Sequence, residues 1–220
     1  MGKKIDRLSD YGIVSKKSKT EETFLKIEKH FRSNDDLPSM YIKKLWESYE
    51  KNIPKNKKNN ALNGYIFEAI VITALIKEDI TPFYVQTNLE FVPNVNYDII
   101  LFPRNEKGKV DVSAPVVLSL KTSLRERYKQ ADLEGLALKD VYKRGLSYLI
   151  TLDDESEITL ANEKISKNDI RGLDGFLNAT SEEFDNLVKH LKESTVSVPP
   201  PIQVIKDAKE IIVERENKDV

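Results

Sequence analysis

Three carboxylates and a lysine, each explicable alone by ordinary helix or strand patterning, recur around one expected sheet edge. Glu68 lies between Tyr65-Ile66-Phe67 and Ala69-Ile70-Val71-Ile72, in a stretch that is apolar on most sides of a helix. A lone buried carboxylate is costly unless it is paired, metal-bound or protonated; a single exposed stripe on that helix would also accommodate it. Asp98 opens the run Asp98-Ile99-Ile100-Leu101. Aspartate is disfavoured there, so it marks either a turn at the start of a strand or a ligand site. Lys121 closes Val116-Val117-Leu118-Ser119-Leu120, and the S-x-K spacing puts Ser119 and Lys121 on one face of the pleat. An ordinary solvated strand end would look the same. Glu134 follows in the next element.

Carboxylates are hard oxygen ligands suited to Mg²⁺, which keeps several waters and takes only one or two acids. A lysine beside them can polarise a phosphate or help deprotonate an attacking water. Acid, lysine and acid around one sheet edge therefore suit metal-assisted hydrolysis of a phosphodiester.

These residues need elements to carry them. Leu62 to Lys77 reads as the strongest helix, and it carries Glu68. Strands are expected over 83–91, with Val85, Leu89 and Phe91 alternating, and over 97–102; a hairpin-type turn follows at 104–109. A third strand over 116–121 flows into a helix from Ser123 to about Tyr142, whose apolar stripe is Leu124, Tyr128, Ala131, Gly135 and Leu138. At about 100° per residue, Arg127, Gln130 and Glu134 fall within roughly 60° of one another beside that stripe. Ser147 to Leu152 is a fourth strand, and helices are expected over 178–192 and 206–216. Upstream, 20–30 and 41–49 read as amphipathic helices and 51–60 as a polar linker. The order predicts an α/β fold, a mixed central β-sheet flanked by helices. It divides into a helical N-terminal region, 1–60, and a domain over 61–220.

Composition narrows the chemistry further. The 220 residues hold no cysteine, so disulfides, thiolate zinc sites and cysteine nucleophiles are excluded. With His30 and His190 as the two histidines, imidazole-based metal clusters are nearly excluded as well. Lys+Arg number 35 against 36 Asp+Glu, which argues against a polycation or an acidic tail. The first sixty residues hold 15 basic and 9 acidic side chains, so a local basic face is compatible with neutrality. The N-terminus lacks the apolar core of a signal peptide, and the run from Ala69 to Ile76 is too short to span a bilayer. A soluble, cytoplasmic protein is expected.

A strand aspartate, a hairpin and then S-x-K resembles the core of the PD-(D/E)xK nucleases, with Ser119 where the second acid usually lies. The segment SLKTSLRERYKQADLE resembles the subgroup of type II restriction endonucleases that includes EcoRII and the CCGG cutters. In that subgroup the missing acid comes from the following helix, and Glu134, with twelve residues between it and Lys121, matches its place. The subgroup's helical glutamate some thirty residues before the strand aspartate is matched by Glu68, and its base-reading motif by Arg125-Glu126-Arg127. Tyr97 stands where proline is usual before the aspartate, and Glu126 where the reading motif more often has aspartate. The resemblance covers about residues 63–150. Asp111, ten residues before Lys121, is a rival to Asp98 and falls in the expected hairpin loop.

The resemblance implies a restriction-endonuclease-like core, Mg²⁺ as cofactor and double-stranded DNA as substrate. It also implies a homodimer that cuts a short palindrome containing C:G pairs, with a cognate DNA methyltransferase as companion. Asp98 and Glu134 would hold the metal, Lys121 would position the water, and Glu68 would be a nearby acid. Arginine reads guanine O6 and N7 bidentately and a carboxylate accepts from cytosine N4. Glu126 and Arg127 would thus read one C:G pair, with Arg125 beside them in the motif. Lys129, Gln130 and Lys139 would hold phosphates, which fix register without carrying sequence information. Two other readings are a repair or structure-directed nuclease of the same fold and a DNA-binding protein without catalysis.

Overall fold

The computed structural model describes residues 8–11, 14, 18–28, 36–80, 84–92, 94–104, 107, 109–125 and 127–194. The expected helix over 206–216, His30 and Glu126 lie outside them.

The helix carrying Glu68 organises the molecule. This helix, α3 (Asn60–Lys77), starts at Asn59, whose side chain accepts the Leu62 N–H at 2.8 Å. Its residues from Ala69 to Ile76 are all buried. A helix that is apolar nearly all round must be covered on every side. Here α1 (Lys19–Glu28) and α2 (Pro38–Asn52) cover one side and the sheet the other. One apolar cluster joins Leu8, Phe24 and Ile42 through α3 to Ile99, Leu118 and Ile150 of the sheet. Phe184 and Leu191 of α6 (Glu182–Ser194) complete it.

The sheet has five strands in sequence order: β1 (Tyr84–Thr87), β2 (Tyr97–Leu101), β3 (Val116–Leu120), β4 (Leu146–Thr151) and β5 (Gly175–Asn178). The first three are antiparallel neighbours; β3, β4 and β5 are parallel. Each parallel step needs a crossover, supplied by α4 (Tyr128–Val141) and α5 (Glu155–Ser166). The central strand β3 is buried at every residue, as a strand covered on both faces must be. Val117, Leu149 and Phe176 turn to the face that packs against α4 and α5. The expected α/β class, a mixed sheet flanked by helices, is the architecture found.

Several boundaries differ from those expected. The strand over 83–91 stops at Thr87, and Phe91 is exposed with a left-handed backbone, φ 63°. The helix expected from Ser123 begins only at Tyr128. Leu124 is buried, and its N–H donates to the Asp153 carboxylate, which holds the segment before α4 out of helical geometry. The residues 51–60 are less of a linker than their polarity suggests. The helix α2 runs to Asn52, Lys55–Lys57 form a 3₁₀ turn, and Asn60 already belongs to α3. The helix expected over 178–192 begins at Glu182, because Asn178 ends β5. Both α5 and β5 went unpredicted. The helix carried a readable start in Asp154, which accepts from the Ser156 and Glu157 N–H groups at 3.0 and 3.1 Å.

A close backbone approach fixes α4 against the rest. A Cβ on Gly172 would lie 1.9 Å from the Asp132 carbonyl oxygen, and one on Gly135 would lie 2.3 Å from the Gly172 carbonyl oxygen. The Asp132 carboxylate also accepts the Arg171 and Gly172 N–H groups at 3.0 and 2.6 Å. The helix that carries Glu134 is therefore seated without slack.

Candidate active site

The four residues singled out by type and spacing converge at one end of the sheet. The β2 and β3 strands are antiparallel, with Ile99 opposite Leu118, so the start of β2 lies beside the end of β3. Lys121 Nζ is 2.8 Å from Asp98 Oδ2, and the Leu120 N–H donates to the same oxygen at 2.7 Å. Both side chains are largely shielded, at 16% and 11% exposure. The backbone of Lys121 donates to the Ile150 carbonyl at 3.0 Å, which extends the parallel pairing by one residue and fixes where its side chain leaves.

The two glutamates arrive from opposite faces of the sheet. Glu68 comes from α3. The Gln86 amide of β1 donates to Glu68 Oε2 at 3.3 Å and to Asp98 Oδ1 at 3.0 Å. Glu134 comes from α4, where Gln130 Nε2 donates to its Oε1 at 2.8 Å and the Ser119 hydroxyl approaches its Oε2 at 3.5 Å. The Tyr97 hydroxyl donates to the Glu134 backbone carbonyl at 3.0 Å and ties that turn of α4 to β2.

Electrostatics follow from this crowding. Burial, then repulsion from Asp98, pushes the Glu68 carboxyl up to about 7 from 4.5; Lys121 and the Gln86 amide oppose the rise. Burial also raises Glu134, against the pull of the Gln130 hydrogen bond and Lys121. One lysine thus faces three acids, two of which resist ionisation. Among the described residues there is no group of three or more Asp, Glu or His side chains gathered closely enough to hold a metal ion as they stand. The donor set still fits Mg²⁺, which needs only one or two carboxylates, with water and phosphate oxygens completing its shell. A site with surplus acid is also one where a divalent cation would relieve the repulsion.

Asp111 is elsewhere. It precedes β3, so the length of that strand, roughly 15 Å, separates it from the Lys121 end. Its carboxylate is taken by the Ser113 hydroxyl at 2.6 Å and by Arg144 at 2.9 Å. The Ser113 bonds come first among the causes that hold it below the usual carboxylate range.

The segment meant to read bases precedes α4, and Glu126 lies outside the described residues. Arg125 and Arg127 are exposed, and Arg125 has φ 29°. Lys129 is exposed on the first turn of α4. With Tyr128, Leu133 and Lys164 it borders an open cleft of about 460 Å³. Gln130 already spends a donor on Glu134, and Lys139 is engaged by Asp174 at 2.9 Å. Sequence reasoning missed Gln86 and Asp153. The latter's carboxylate takes both the Leu124 N–H and the Thr151 hydroxyl and so anchors the segment before α4. Asp153-Asp154 before a helical run carried a capping signal for Asp154 but none for this long-range anchor.

No protein-family profile and no characterised protein sequence matches the chain. Among solved structures, the chain is similar to the restriction endonuclease PspGI in a complex with its substrate DNA. The TM-score is 0.53 at 17% identity, over 92% of this chain and 94% of that one. The type IIP restriction endonuclease Kpn2I matches at TM-score 0.47 and 15% identity, over 89% of this chain and 69% of that one. The PspGI likeness defines the fold: the chain has the fold of a restriction endonuclease. Among the described residues, no helix is long and apolar enough to cross a membrane.

Proposed function

We propose that this chain is a Mg²⁺-dependent type II restriction endonuclease, which hydrolyses phosphodiester bonds of double-stranded DNA at a short palindrome containing C:G pairs. The observation that carries this reading is the Lys121–Asp98 pair at the sheet end, with Glu68 and Glu134 delivered to it from opposite faces. The match to a nuclease solved with its substrate DNA supports the same reading.

In the proposed mechanism Asp98 and Glu134 would hold the cation, and Glu68 would bind it or steer Asp98. A bound Mg²⁺ would polarise the phosphate and lower the pKa of an attacking water. Lys121 would orient that water and offset the charge that builds on the phosphorane oxygens, a task for a preorganised cation in a shielded site. The Leu120 N–H and Lys121 together hold Asp98 in one orientation before any ligand arrives. Arg127 and Glu126 would read a C:G pair, with Arg125 beside them in the motif and Lys129 on the DNA backbone. A homodimer would let each chain read half of the palindrome and cut one strand. A companion methyltransferase would protect the host's own sites.

The test is purified protein, Mg²⁺ and a plasmid of known sequence. Discrete fragments with defined ends are expected. Nonspecific degradation would favour a structure-directed or repair nuclease of the same fold, and a gel shift without cutting would favour a binding protein.

A further inference from the structure

The residue that joins Glu68 to Asp98 sits in a backbone conformation that a strand does not otherwise adopt. In the β1–β2 ladder Tyr84 faces Ile100, Val85 faces Ile99 and Thr87 faces Tyr97. The register is the same on both sides of the gap, so the pair left out is Gln86 and Asp98. At that gap Gln86 has φ 50°, in the left-handed region that a non-glycine residue avoids. Its neighbours Val85 and Thr87 are buried while Gln86 is exposed, so packing does not force the distortion.

The distortion has a return. The Gln86 amide nitrogen reaches Asp98 Oδ1 at 3.0 Å and Glu68 Oε2 at 3.3 Å, and the Asn96 amide approaches Gln86 Oε1 at 3.5 Å, in the donor-to-carbonyl sense. An NH₂ group has two protons, one for each acid. Hydrogen bonds to charged acceptors are the stronger kind, and Glu68 and Asp98 repel each other with only Lys121 to offset them. Strained backbone persists where the surroundings over-determine it, which at a cluster of acids points to a role in positioning them.

We propose that Gln86 is a positioning residue: its carboxamide clamps the Glu68 and Asp98 carboxylates together, so that a divalent cation meets donors already placed. The proposal rests on the nuclease reading for its consequence in cleavage, but the clamp itself is made by the chain's own side chains.

Two substitutions separate the clamp from the strain. Gln86→Met keeps the length and the left-handed backbone but removes both N–H donors; Gln86→Gly removes the clamp and relieves the strain. With Mg²⁺ and saturating DNA, both variants should lose about tenfold to a hundredfold in kcat, the usual cost of removing a group that orients a metal ligand. KM for DNA should stay within about threefold. In EDTA, Gln86→Met should lower the unfolding midpoint while Gln86→Gly should match or exceed wild type. A Gln86→Gly variant cutting at the wild-type rate would overturn the proposal, as would a rate loss that merely tracks lost stability. If the wild-type chain cut no DNA, the nuclease reading would fall, and a double-mutant cycle in EDTA would still judge the clamp. Gln86→Met and Glu68→Gln should then shift the unfolding midpoint non-additively, whereas additive shifts would sink it.

Discussion

Asp98 Oδ2 receives Lys121 Nζ at 2.8 Å and the Leu120 N–H at 2.7 Å, so strand β3 contributes both a charge and a backbone donor to one oxygen of strand β2. Leu120 lies twenty-two positions after Asp98 in the chain. Antiparallel pairing alone brings them together, and it leaves the second oxygen, Oδ1, facing Gln86 on the other side.

Removing the lysine or the helical acid should stop chemistry while the chain still folds. Lys121→Ala and Glu134→Ala are each expected to reduce cleavage by at least about 10²–10³-fold, the scale set by deleting one preorganised charge-stabilising group. Circular dichroism should stay close to wild type for both, and DNA binding in Ca²⁺ should persist. The unfolding midpoint should hold for Glu134→Ala but fall for Lys121→Ala, which leaves Asp98 without its cation. A Glu134→Ala protein cutting at the normal rate would show that the helical acid is not a metal ligand.

Glu68 should trade stability against function. Its carboxyl is raised to about 7 in the fold against 4.5 for the free side chain. A group raised on folding contributes stability that is complete below the unfolded value and lost as pH climbs through the folded one. Ionising Glu68 between about pH 4.5 and 7 thus weakens the metal-free protein. Glu68→Gln should match wild type near pH 4 and be more stable near pH 8, by roughly 2–3 kcal/mol at most. Urea unfolding in EDTA at the two pH values measures this, and the same variant should cut DNA more slowly in Mg²⁺.

Recognition and backbone contact should separate in the segment before α4. Arg127→Ala is expected to cost about 1–3 kcal/mol of discrimination, roughly tenfold to a hundredfold in cognate affinity, with nonspecific affinity nearly unchanged. Lys129→Ala should weaken all sequences alike and reduce the salt slope by about one unit. Titrations of cognate and scrambled duplexes across a salt series in Ca²⁺ would test both. Equal losses on the two duplexes for Arg127→Ala would leave the reading motif without support.

Gly172→Ala should disturb the site from a distance. The added methyl would lie 1.9 Å from the Asp132 carbonyl oxygen, a backbone atom that cannot swing aside, so α4 must shift. Overpacking of this kind costs about 1–3 kcal/mol, occasionally more. Because Glu134 travels with α4, cleavage should fall further than the population of unfolded protein accounts for. Unfolding midpoints and single-turnover rates on the same samples would reveal the difference.

Apolar periodicity made α3 and the cores of β2, β3 and β4 readable, because long or strongly patterned segments bury their apolar faces whatever surrounds them. Glu68 and Asp98 were readable for a related reason, since charge placed against apolar neighbours is costly and stands out, whereas Lys121 and Glu134 were marked by the S-x-K spacing and by their distance from each other. The start of α4 was not readable, since Leu124 gives up helix to bond Asp153 twenty-nine residues away. The short strand β5 escaped for the same reason, as Phe176 and its neighbours are ordered by pairing with β4. Nor did any local pattern mark Gln86, whose role depends on Asp98 across the ladder and Glu68 on a separate helix. The sequence by itself determined which side chains carry charge and which segments seek burial. Tertiary structure alone decided which strand ends meet, and so which acids share one lysine, because that choice is made by hydrogen bonds between residues far apart in the chain.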